Sequence, residues 1–170
     1  MRNAIIPIIF LLLFIDFEIK SQIDTTLVSK NVLYFEGAGI GGYGSINYER
    51  LIFRKANLWV NTRVGLSTYN LKDYTAKFNP DIILPFAING LYGNNHKIEF
   101  GIGQTISNSV SANYSTWQPE RVTNFHANFT IGYRFQKKTE GLMFRCNYSP
   151  IIKYHKYYRH WGGISVGYSF

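Results

Sequence analysis

The chain has 170 residues, enough for one domain or one domain behind a targeting segment. Charged residues are only 16% while aromatics reach 17% with 15 Gly, a balance that favours strands and tight turns over helices. A net charge of +8 points to anionic partners, and the single Cys146 excludes both an internal disulfide and a lipid-anchored N-terminal cysteine.

In chain order, the first segment is "MRNAIIPIIFLLLFI", a positive start followed by an apolar run from Ala4 to Ile15. A spanning helix needs about 20 such residues, so this run is too short to be one. It reads as a signal peptide covering 1–21, cleaved after Ser21, although Ile19 stands where a small residue is usual. Residues 22–30 are then a short N-terminal periplasmic segment and 31–170 the folded domain.

From there the apolar residues recur with period 2. Windows at 31–39, 43–53 and 81–90 are the weaker strand candidates. Leu58 to Leu66 alternates with Trp59, Asn61, Arg63 and Gly65, and Ile98, Phe100 and Ile102 alternate with Glu99, Gly101 and Gly103. The same holds for Phe125 to Phe135, for Leu142, Phe144, Cys146 and Tyr148, and for Ile164, Val166, Tyr168 and Phe170. These make eight strands of about 9–11 residues, the length of a tilted membrane-crossing strand. The predicted class is all-β: an eight-stranded antiparallel up-and-down transmembrane β-barrel.

Connections "FRKAN", "YGNNHK" and "QKKTEG" are short, whereas "STYNLKDYTAKFNP" and "SNSVSANYSTWQPE" are long and fall at the opposite end. Short turns on one side and long loops on the other match a barrel in an outer membrane. Every Lys of the domain falls in a predicted loop, turn or strand end. The polar faces instead carry small residues with Glu36, Glu49, Arg63, Glu99, Arg134 and Arg145, three acids against three bases. That balance predicts a lumen plugged by paired charges. Aromatics gather toward both strand ends, as girdles would: Tyr48, Phe53, Tyr133, Phe135, Tyr168 and Phe170 near the turns, and Tyr69, Tyr74, Tyr114, Trp117, Tyr154, Tyr157, Tyr158 and Trp161 near the loops.

The ending "ISVGYSF", with Ile164, Val166, Tyr168 and Phe170 in one phase, resembles the C-terminal strand of outer-membrane barrels of Gram-negative bacteria. That resemblance implies recognition of these four residues by the barrel-assembly machinery and an OmpA/OmpX-like shape over 31–170. "EGAGIGGYGSINYERLIF" is similar to the opening hairpin of small barrels without an assigned activity.

The search for chemistry is short. No pair among the four His and one Cys has metal-ligand spacing on one face, and no cofactor is expected. His126 sits on the inward phase between Asn124 and Asn128, with no His-x-Ser pair to suggest a hydrolase. The glycines of "GAGIGGYG" suit a tight hairpin, since no helix follows them. "KYHKYYRH" interleaves cations with tyrosines, and Lys153, Lys156, Tyr157, Tyr158 and Arg159 are candidates for contact with anionic glycolipid. The expected protein is a monomeric, non-enzymatic outer-membrane barrel touching lipid and glycolipid, with no nucleic acid partner and no wide pore. Two other readings share the same alternation: a lipid-modifying barrel enzyme and a soluble exported ligand-binding barrel.

Overall fold

The structure, a computed structural model, describes residues 28–112, 118–153 and 157–170; the expected signal peptide and the rest of 22–27 lie outside them. The described residues form ten strands: β1 (Asn31–Ala38), β2 (Gly44–Lys55), β3 (Leu58–Ser67), β4 (Ile82–Gly93), β5 (His96–Ala112), β6 (Pro119–Gln136), β7 (Gly141–Tyr148), β8 (Ile151–Lys153), β9 (Tyr157–Arg159) and β10 (Gly162–Ser169). They make eight staves. β7 and β8 both pair with β6 in a single register, Ile131 opposite Tyr148 and Asn128 opposite Ile151, so they are two halves of one stave. β9 and β10 are likewise the halves of the last, with Ile151 opposite Arg159 and Tyr148 opposite Gly162. The seventh stave breaks at Pro150, which has no N–H to give to a ladder. The amide of Ser149 keeps the two staves tied there, donating to Trp161 O at 2.8 Å.

Each stave pairs antiparallel with the next, and β1 pairs with β10 from Val32–Ser169 to Ala38–Gly163, closing the sheet. Reciprocal backbone bonds of 2.9 Å between Asn31 and Phe170 end that seam. The protein is an eight-stranded antiparallel up-and-down closed barrel. Following opposed residues round it links Asn31, Arg50, Thr62, Ile88, Ile102 and Phe129. At constant register the trace continues through Pro150 and His160 and meets the first stave again at Gly41, ten residues on. With about 3.3 Å per residue and about 4.8 Å between strands, that offset tilts the staves by about 40°.

Apart from the short β1–β2 link, which lies at the same end as the long ones, the connections sort by length as expected. The β2–β3, β4–β5 and β6–β7 turns share one end, the turn end, with both termini of the sheet. The longer links share the other, the loop end. Strand lengths depart from the expected 9–11 residues. β5 has 17 residues and β6 has 18, because much of "SNSVSANYSTWQPE", expected as a loop, continues the hairpin through pairs such as Ser109–Val122 and Ala112–Pro119. Polar side chains on both faces hide that extension from a search for apolar alternation. The link after β7 also contains the β8–β9 hairpin rather than an open loop.

The short β1–β2 link folds inward. Gly39, Ile40 and Gly41 form one turn of 3-10 helix and are all buried in the loop-end mouth, where Thr105 donates to Ile40 O at 2.9 Å. Gly39 has φ of 80°, and a Cβ there would lie 2.3 Å from the Glu36 carboxyl carbon. Only glycine meets both demands.

Candidate functional site: the charged lumen and the two rims

Strand alternation sends every second side chain inward, and all six ionisable residues assigned to that phase meet in the lumen. Glu36, Glu49, Arg63, Glu99, Arg134 and Arg145 are at most 2% exposed. They form one chain of alternating sign: Arg63, Glu36, Arg145, Glu99, Arg134, Glu49. Arg145 Nη1 donates to Glu99 at 3.1 Å, Arg134 Nε to Glu99 at 2.9 Å, and Arg134 Nη2 to Glu49 at 2.9 Å. Close charge-assisted bonds join Glu36 to Arg63 and to Arg145. Neutral neighbours fill the remaining sites. Asn61 donates to Glu49 at 2.5 Å and Asn147 to Glu36 at 3.3 Å, while Asn47 Oδ1 accepts from Arg63 Nε at 3.0 Å. Burying six charges is tolerable only with this degree of pairing.

Alternation also carries aromatics inward, which the girdle assignment overlooked. Tyr34 lies under two guanidinium groups, with its ring centre 4.9 Å from Arg145 and 5.4 Å from Arg63. Val32, Tyr34 and Met143 form a small apolar plug below the charges, toward the turn end. Gly167 makes room for it, since a Cβ there would lie 2.3 Å from Tyr34 Cβ. Trp59 is buried at the turn-end mouth and donates from Nε1 to Gly93 O at 3.3 Å. Lys97 lies at a strand end, within the expectation of a loop, turn or strand end for every lysine, yet it does not reach water. It begins near a turn, but its side chain points inward and is 1% exposed.

The outer wall is the reverse. Leu33, Phe35, Ile46, Val64, Leu66, Ile88, Phe100, Ile102, Phe129, Ile131, Leu142 and Phe144 are all exposed large hydrophobics, most of them about half exposed. Ile164, Val166, Tyr168 and Phe170, the expected assembly signal, belong to this surface. Of the expected turn-end girdle, Tyr48, Tyr133, Tyr168 and Phe170 are exposed on it.

At the loop end the β3–β4 link is laced to the β5–β6 hairpin. Arg121 donates to Asn108 at 2.7 Å and to Pro80 O at 3.1 Å, and Val110 N donates to Asp81 at 2.9 Å. Asp73 organises the tip, accepting from Thr75 Oγ1 at 2.6 Å and Thr75 N at 2.8 Å. Tyr43 meets Tyr69 and Trp161 edge-on at 5.9 and 6.0 Å. Of the glycolipid candidates, Arg159 is exposed beside Trp161, 6.0 Å from its ring. Lys153, Tyr157 and Tyr158 supply backbone to the β8–β9 pairing. Lys156 lies outside the described residues, as do Tyr114, Trp117 and Tyr154. His126 is half-buried on the inward phase, opposite Thr105 and Lys153.

No protein-family model and no curated protein matches the chain. Among solved structures it is similar to the crystal structure of the N-terminal β-barrel domain of Pseudomonas aeruginosa OprF, with a TM-score of 0.57. That similarity covers 85% of this chain and 98% of the other at 11% sequence identity, so what the two share is the barrel fold.

Proposed function

We propose that the protein is an outer-membrane barrel of a Gram-negative envelope, exported behind the leader at 1–21 and exercising a structural or adhesive role through its loops. One observation carries the reading: apolar side chains cover the wall outside while paired charges fill it inside. A soluble ligand-binding barrel would need the opposite arrangement, an apolar lumen and a wettable exterior. Exposed hydrophobics on every stave instead suit lipid as the outer solvent. The similarity to the OprF barrel supports the same reading at the level of fold.

In this reading the barrel is non-catalytic and monomeric, and the assembly machinery inserts it by its last strand. Lys153, Lys156, Tyr157, Tyr158 and Arg159 would face anionic glycolipid at the loop end. The mature chain should refold only with detergent or lipid, giving a strand-type circular dichroism spectrum and a heat-modifiable gel band. A folded, monodisperse protein in plain buffer would refute the membrane reading. In planar bilayers the pure protein should give negligible conductance, because an eight-stranded barrel is only wide enough for its own side chains. Replacing Lys153, Lys156 and Arg159 together by Gln should weaken capture of phosphorylated glycolipid at low salt and leave the fold intact. Equal capture by parent and variant would remove the glycolipid role.

A further inference from the structure

The lumen charges cancel, but those of the turn-end mouth do not. Three acids and three arginines close the ion-pair chain, and two further cations lie toward the turn end of it. Lys97 Nζ lies 4.6 Å from the Trp59 ring centre, and the Arg54 guanidinium lies 4.7 Å from the same ring. Lys97 donates to a backbone carbonyl, Gln136 O, at 2.6 Å. The buried Arg54 Nε has no hydrogen-bond partner. Besides its burial, Lys97 feels the positive charges of Arg134, of Lys138 on the β6–β7 turn and of Arg54, which Glu49 offsets only in part.

The surroundings add to the imbalance. The three turns and their flanks carry Arg54, Lys55, Lys97, Lys137 and Lys138, with Glu140 as their acid. An indole face and a carbonyl soften a buried ammonium but leave its charge in place. Concentrating cations around a buried unpartnered N–H is unfavourable unless an anion joins them.

We propose that this mouth is an oxyanion site of the phosphate class, formed by Arg54, Lys97 and Lys138 beside Trp59. Arg54 offers its unpartnered Nε–H and the two lysines point charges, a combination suited to a tetrahedral dianion or a phosphodiester. The phosphate could come from solution or from the headgroup of a phospholipid in the leaflet at the turn end. The inference is independent of any role for the loops.

Trp59 is a built-in reporter. In detergent-refolded protein carrying Trp117→Phe and Trp161→Phe, sodium phosphate should change Trp59 emission saturably, whereas sodium chloride at matched ionic strength should not. In a second arm the same protein is placed in nanodiscs of phosphatidylcholine with or without phosphatidylglycerol. A response to free phosphate identifies a soluble ligand; a response only with phosphatidylglycerol identifies a headgroup. Either supports the site if Arg54→Gln lowers the apparent affinity at least tenfold. Lys97→Met should abolish the response, and Lys138→Gln provides the same test without touching a buried position. No saturable change in either arm, or a change that chloride reproduces, would overturn the proposal.

Discussion

Arg145 and Phe144 are neighbours in sequence and belong to different solvents. Arg145 is fully buried among two carboxylates, a serine and a tyrosine ring, whereas Phe144 is 46% exposed on the outer wall. In a water-soluble protein their positions would be exchanged. The pair teaches that this wall is defined by two demands at once: nothing polar outside, and nothing charged left alone inside.

The largest effect should come from breaking the inner demand. Arg145→Ala strands one oxygen of Glu99 and leaves Glu36 with a weaker set of donors, Arg63 and Asn147, and should lower stability in detergent by about 3–5 kcal/mol, read from urea unfolding. Phe144→Ala, one residue away, should lose no more than about 1–3 kcal/mol of burial against lipid. Equal losses for the two would erase the distinction between the faces.

A smaller effect should follow from breaking the outer demand. Ile102 stands between Ile88 and Phe129 on the wall and is 61% exposed. Ile102→Arg should cost about 2–4 kcal/mol in a bilayer, as a charge near the midplane does, while Ile102→Leu should be nearly neutral. If Ile102→Arg were as stable as the parent in lipid vesicles, that surface would not be facing hydrocarbon.

The smallest effect belongs to the loop end, where water is the solvent on both sides. Hydrogen bonds from the Thr75 side chain, followed by those from Asn79 and the backbone, hold the Asp73 carboxyl below its ordinary range. A depressed carboxyl favours the ordered turn above its unfolded pKa and loses that contribution as pH falls through the folded one. The Thr75 amide resonance should therefore keep its folded position through mild acid and shift only below the usual aspartate range. Thr75→Ala should move the Asp73 titration upward, with little change in global unfolding.

The eight staves and all six lumen charges could be read from period-2 alternation, because a one-residue phase error would have turned Glu36 or Arg145 into lipid. Four features could not. The far halves of β5 and β6 present Ser, Asn and Thr on both faces, so no phase marks them. The break at Pro150 leaves two three-residue strands too short for any periodicity. Lys97 and Arg54 sit beside turns, where a lysine or arginine ordinarily reaches water; only the register shows them turned inward. Tyr34 and Trp59 looked like ordinary strand aromatics, yet each serves a cation inside the lumen.

The ion-pair chain also constrains the order of assembly. Arg134 and Glu49 are 85 residues apart, and Arg145 and Glu36 are 109 apart, on staves that do not pair with each other, so these side chains meet only across the lumen. The hairpins differ in how far they neutralise themselves: β5–β6 pairs Arg134 with Glu99 and β2–β3 sets Glu49 opposite Arg63, but β1–β2 brings two glutamates and β6–β7 sets Arg134 directly opposite Arg145. A sheet built only at its ends would therefore expose like charges to whatever surrounds it, and the long-range pairings that relieve them are slow to be rewarded. Neutralising Glu36, Glu49 and Arg145 in full waits for the sheet to curl, so a half-inserted sheet in lipid is the state its sequence makes least habitable.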